Sequence, residues 1–146
     1  MLQFHHIGIG TARFEDAVAR YQSLGYELFV DLNDPGLNVR VAFLRRAGEP
    51  LIEVLAPLSE GGPLDALLKR RAIPGPYHTC YAVEDLAAGI EYLRERGFMP
   101  LTEPAPALAF GGRPVVFFYE RDIGQVELVE KPPFGCDAFA GASHVT

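Results

Sequence analysis

A chain of 146 residues that is 49% hydrophobic and 22% charged suits one compact domain and excludes disorder as its main state. At that size about two thirds of the unfolded chain's surface can be buried, so neither a disulfide nor a metal is needed merely to fold. Thirteen basic against nineteen acidic residues leave a net charge of −6. This excludes the basic face a nucleic-acid binder needs, but not a small anionic ligand held by a few local arginines.

The start, Met1 to His6, lacks a basic stretch followed by a long apolar run, so no signal peptide is read. No stretch approaches about 18 consecutive apolar residues, so no membrane span is read either. Cys80 falls inside a strand pattern and Cys136 in a loose tail. Two such cysteines make no disulfide framework and point to a reducing cytoplasm.

The elements repeat. Phe4–Gly10 reads as a strand. From Phe14 to Leu24 the apolar residues Phe14, Ala17, Val18, Tyr21 and Leu24 keep helical spacing, and Gly25 stops the helix. Tyr26–Leu32 is a strand, Asn33 to Gly36 a turn, Val39–Arg45 a strand, Ala47 to Pro50 a turn, and Leu51–Ala56 a fourth strand. Pro63–Arg71 reads as a linking helix closed by Pro74-Gly75-Pro76. The second half copies the first: strand Tyr77–Val83, helix Asp85–Arg96, strand Phe98–Thr102, strand Pro114–Glu120 and strand Gly124–Glu130. A shift of 72 residues carries His6 onto His78 and Gly25 onto Gly97; a shift of 74 carries Ile52-Glu53-Val54 onto Val126-Glu127-Leu128. One βαβββ unit is too thin to bury both faces of its sheet. The expected architecture is therefore α+β, a single domain of two units over one core. The first module covers about residues 4–58, the linking helix 63–71, the second module about 76–131, and a tail 132–146.

Each half carries a histidine near its start and a glutamate near its end. Strand alternation puts His6 on a face with Phe4 and Gly8, His78 with Cys80 and Ala82, Glu53 with Leu51 and Leu55, and Glu127 with Gln125 and Val129. Small neighbours leave room beside each imidazole. A carboxylate on a largely apolar strand is costly to bury unless a cation answers it. Two histidines and two glutamates at repeat-equivalent positions therefore point to one divalent ion, Ni²⁺, Co²⁺, Zn²⁺, Mn²⁺ or Fe²⁺, with coordination positions left for substrate oxygen. Cys80 reads as a small packing residue, and Tyr81 and Phe117 as core. His5 and His144 have no histidine partner in the repeat and are assigned no role.

The segments Phe4-His5-His6-Ile7-Gly8-Ile9, Leu51 to Leu58, Tyr77 to Leu86 and Val126-Glu127-Leu128-Val129 resemble the vicinal oxygen chelate superfamily, and most closely its glyoxalase I-like and methylmalonyl-CoA epimerase-like branch. The resemblance implies two βαβββ modules in a cupped mixed sheet around one metal, with ligands His6, Glu53, His78 and Glu127. It further implies a metal-dependent isomerase or lyase that moves a proton next to a carbonyl through a metal-stabilised enolate. Glu127 is the first choice for the base and Glu53 the second. The His-Glu-His-Glu set looks more like glyoxalase I. Methylmalonyl-CoA epimerases usually carry glutamine where this chain has Glu53, and a further glutamate at the position here aligned with Arg40. Glutathione-using glyoxalases typically carry an arginine where Gly8-Ile9-Gly10-Thr11 stands. Alternatives on the same fold are a small-molecule binding protein of the bleomycin-resistance type and an Fe²⁺ extradiol-type dioxygenase. Arg40 and Arg113, with Arg45 behind them, are candidates to hold a substrate carboxylate or phosphate. Arg40 is expected to point into the cup, and the loop 105–112 to act as a mobile lid or substrate rim. The expected partners are a small carbonyl or thioester substrate and a second copy of the chain, with no nucleic acid and no membrane.

Overall fold

The computed structural model describes residues 1–71 and 73–131. Cys136, His144 and the expected tail lie outside the described residues. The chain order is β1 (Gln3–Gly10), α1 (Phe14–Ser23), β2 (Glu27–Asp34), β3 (Val39–Arg45), β4 (Leu51–Pro57), α2 (Pro63–Arg71), β5 (Gly75–Val83), α3 (Leu86–Arg94), β6 (Met99–Pro100), β7 (Ala105–Ala107), β8 (Arg113–Glu120) and β9 (Gly124–Glu130). A short 3-10 turn, Leu108–Phe110, follows β7. No helix among the described residues is long and apolar enough to cross a membrane.

All the strands join one sheet in the order β2-β3-β4-β1-β5-β9-β8-β6, with β7 also paired to β8. The order is palindromic. β1 lies parallel to β4, β5 lies parallel to β9, and the antiparallel β1–β5 pair is the seam between the halves. The two expected βαβββ modules thus meet edge to edge. On one face, α1 packs over Ile9, Ala42, Leu44, Ile52 and Val54, and α3 over Val83, Val116, Val126 and Leu128. The other face is concave and shared by both modules, with Val41, Phe43, Leu55, Cys80, Val115 and Val129 in one apolar layer. Both faces are buried, as two units sharing a core require.

The expected strand Phe98–Thr102 is corrected to two paired residues. Pro100 has no N–H to continue the ladder, and only the Leu101 amide extends it, donating to the Phe117 carbonyl at 2.8 Å. The loop 105–112, expected as a mobile lid or substrate rim, is built as β7 and a 3-10 turn. β7 and the 3-10 turn seat Phe110 in the core at 8% exposure. Asp34, at the end of β2, accepts from the Leu37 amide at 3.1 Å and from the Leu108 amide at 2.9 Å. One carboxylate thereby pins the first module's turn to the second module's loop. Gly111 and Gly112 turn the chain back with φ of 65° and 85°, where other residues are strained.

Candidate metal centre

The β1–β5 seam is irregular in a way that builds the site. Phe4 stands opposite Tyr81 but His6 opposite Cys80, so His5 is an extra, bulged residue in β1. Gly8 stands opposite His78 but Ile9 opposite Pro76, so Tyr77 is the extra residue in β5. One bulge sits immediately before His6 and the other immediately before His78, and each breaks the alternation by one. His5 and His6 therefore both turn to the concave side, as do Tyr77 and His78. The expectation that Phe4 shares a face with His6 is corrected by the same bulge: Phe4 packs edge-on against Tyr81, which belongs to the α3-bearing face.

His6, Glu53, His78 and Glu127 meet at the seam, with side chains 0–6% exposed. His6 Nε2 lies 2.9 Å from a Glu53 oxygen and 3.3 Å from a Glu127 oxygen; His78 Nε2 lies 3.2 and 3.0 Å from the same two oxygens. The two nitrogens are 3.1 Å apart. Neither carboxylate oxygen is met at hydrogen-bonding geometry. Ligand atoms at right angles around an ion with bonds of about 2.1 Å lie ~3.0 Å apart, so the four donors fit a divalent cation in spacing as well as in chemistry.

The electrostatics agree. Burial works against charged His78, yet the Glu127 and Glu53 carboxylates outweigh it and hold the imidazole above its ordinary pKa. Burial likewise works against charged Glu53, yet the His6 and His78 imidazoles bring it down to about 2. The paired carboxylates thus draw positive charge to this point, whether protons or a cation supply it. Burial first, and then the neighbouring His6, hold His5 down to about 4, so that ring is neutral. Burial and Glu127 push the Cys80 thiol up to about 12, which fits a packing residue and not a nucleophile.

Close approach explains the small residues. Gly8 lies directly against the His78 ring, and a Cβ there would clash with the imidazole. Cys80 takes the equivalent place opposite His6.

The two halves of the site face different surroundings. Glu53 stands opposite Phe43, and Phe43 and His6 both pack against Phe110, with ring centroids 5.7 and 6.1 Å away. Glu127 stands opposite Phe117, which sits edge-on to His78 at 5.3 Å. Phe117, His78 and Tyr77 line a cleft of about 1300 Å³ that runs out beneath α2 past Leu55, Leu64 and Val115. Of the four cluster residues, His78 is the one that lines this cleft. Sequence reasoning missed Phe43, Tyr77 and Phe110. The shift of 72 that pairs His6 with His78 also pairs His5 with Tyr77, and that was the available signal.

The arginines divide. Arg40 does not point into the cup, which corrects the expectation. Val39, Val41 and Phe43 take the concave face of β3, so Arg40 lies on the α1 side. There it pairs with Glu15 at 2.6 Å and Asp31 at 3.0 Å and stacks over Phe14. Arg45 pairs with Glu27 at the rim. Arg113 opens β8 opposite Ala107, at a register position shared with Val115 and Phe117 on the concave side.

These features define a class: a duplicated βαβββ protein whose seam carries a His-Glu-His-Glu cluster fitted to a divalent ion. A family model described as the glyoxalase/bleomycin resistance protein/dioxygenase superfamily matches residues 5–117. The chain belongs to that superfamily, the vicinal oxygen chelate group, and its homologues are methylmalonyl-CoA epimerases. It is 33% identical over 121 residues to the ethylmalonyl-CoA/methylmalonyl-CoA epimerase of Cereibacter sphaeroides, spanning 82% of this chain and 90% of that protein. It is 30% identical over 129 residues to the mitochondrial methylmalonyl-CoA epimerase of Homo sapiens, spanning 88% of this chain and 72% of that protein. Among solved structures, the methylmalonyl-CoA epimerase of Mycobacterium tuberculosis aligns with a TM-score of 0.78 at 28% identity, covering 90% of this chain and 89% of the other.

Proposed function

We propose that this chain is a metal-dependent acyl-CoA epimerase that inverts a carbon centre next to a thioester carbonyl. The observation that carries the reading is the convergence of four buried donors, two of them carboxylates, beside an apolar cleft that one of them, His78, lines. The epimerase relatives supply the substrate class.

A divalent ion held by His6, Glu53, His78 and Glu127 would supply Lewis-acid polarisation of the thioester carbonyl. The chain's own part is the proton. Among the described residues three carboxylates are buried: Asp34, Glu53 and Glu127. Asp34 has both oxygens engaged by backbone amides. Glu127 lies 3.0 Å from His78, the cluster residue that lines the cleft, and it is taken as the base that removes the α-proton. The electron pair left on carbon is delocalised into the carbonyl as an enolate, and return of a proton to the opposite face completes the inversion. That proton comes from solvent, and Glu127 releases to solvent the one it took, so inversion is accompanied by exchange. Phe117 and Tyr77 keep water from the reacting face, and the apolar cleft accepts the extended acyl-carrier arm. Arg113, on the concave side of β8, is the candidate contact for a substrate carboxylate or phosphate.

The test is deuterium wash-in. Methylmalonyl-CoA incubated with the metal-loaded protein in D2O is expected to exchange its α-proton, followed by NMR. No exchange under those conditions contradicts the proposal. The two-glutamate ligand set favours a second reading, a glyoxalase I-type isomerase or lyase; turnover of a methylglyoxal–thiol adduct without α-exchange would select it.

A further inference from the structure

The two ligand histidines are equivalent by the internal repeat, but their outer nitrogens are held differently. His6 Nδ1 lies 2.8 Å from His5 Nδ1, with both rings buried. His78 Nδ1 is buried and meets no hydrogen-bond partner among the described residues. Its neighbour Tyr77, the counterpart of His5, presents only a ring edge, with centroids 4.5 Å apart. The bulges explain how both neighbours reach the concave side. They do not make the neighbours chemically alike.

Two imidazole nitrogens at 2.8 Å share one proton between them. A histidine that turns a lone pair at Nε2 toward a cation carries its proton on Nδ1. His6 therefore donates to His5, and His5 accepts through Nδ1 with its own proton on Nε2. Such a bond fixes the tautomer and ring orientation of a ligand before any ion arrives.

We infer that His5 is a positioning residue for His6. Its Nδ1 acceptor locks the His6 imidazole in the ligating tautomer and makes it the fixed imidazole of the pair, while His78, which lines the cleft, is the one that adjusts. This inference rests on the metal-centre reading of the four-residue cluster.

The experiment measures Zn²⁺ affinity by chelator competition on the full chain, together with the visible spectrum of the Co²⁺ form. Wild type is compared with His5→Leu, which removes the acceptor, and His5→Asn, which puts an amide oxygen near the place of Nδ1. Affinity is expected to fall about 10–100-fold in His5→Leu and to recover to within a few-fold in His5→Asn. The Co²⁺ spectrum is expected to change in His5→Leu. A folded His5→Leu that binds Zn²⁺ like wild type, even with a lowered melting temperature, assigns His5 to packing and overturns the inference. A wild-type measurement needs no variant to fold. The zinc-loaded protein is expected to show one slowly exchanging imidazole proton on His6 Nδ1, with nitrogen–nitrogen coupling to His5 Nδ1 across the hydrogen bond. A proton on His5 Nδ1 instead overturns it. Absence of Zn²⁺ uptake by wild type would sink the metal reading and this inference together. Uptake by wild type with an unchanged His5→Leu would sink the inference alone.

Discussion

Gly8→Ala tests the packing that places His78. Gly8 stands opposite His78 in the β1–β5 seam, and an added methyl would overlap the imidazole well inside van der Waals contact. Non-bonded carbons settle at about 3.5–4 Å, so the ring must retreat by ~1 Å or more. It has little room to do so: Tyr77 and Phe117 hold it edge-on at 4.5 and 5.3 Å. Gly8 is not among the residues with positive φ. The site thus needs glycine for close approach and not for backbone freedom. Metal–ligand distances hold to within about 0.2 Å, and disturbing what orients a ligand costs about 10–100-fold in metal affinity. The expected result is a loss of Zn²⁺ affinity of roughly that size, read by chelator competition. Urea denaturation of the metal-free variant is expected to show a further destabilisation of about 1–3 kcal/mol from overpacking. A Gly8→Ala protein with wild-type affinity and wild-type stability would refute the reasoning.

Glu127→Gln is expected to abolish deuterium exchange at the substrate α-carbon while leaving the circular dichroism spectrum of the fold unchanged. Asp34→Ala removes the acceptor for the Leu37 and Leu108 amides, and a loss of about 1–3 kcal/mol is expected in urea denaturation. Arg40→Ala is expected to leave KM for the substrate unchanged, because its guanidinium is paired with Glu15 and Asp31 on the α1 side; steady-state kinetics decide. Zn²⁺ supplied at about 1,000 times its Kd is expected to stabilise the folded chain by ~4 kcal/mol, seen as a raised melting temperature that EDTA reverses.

The four-residue cluster was legible in the sequence because the repeat fixed which histidine answers which, and alternation placed Glu53 and Glu127 on the right faces. What alternation could not show was the pair of bulges. A bulge is a property of two strands, decided by how β1 and β5 pair, and it shifts side-chain parity by one within a single strand. His5 and Tyr77 were therefore missed, and Phe4 was put on the wrong face. Arg40 failed for a different reason. Arg40 alternates with Val39 and Val41, but both faces of β3 are buried, so polarity gives no sign of which one is concave. The loop carrying Phe110 shows no sign of its anchor in sequence, because the Leu108 amide bonds to Asp34, 74 residues away. A hydrogen bond of that range leaves no local pattern.

Anomalous diffraction from crystals of the metal-loaded protein, collected at the ion's absorption edge, tests the central claim most directly. One peak per chain is expected, about 2.0–2.2 Å from His6 Nε2, His78 Nε2 and one oxygen each of Glu53 and Glu127. A peak at any other place, or none at the seam, would contradict the account.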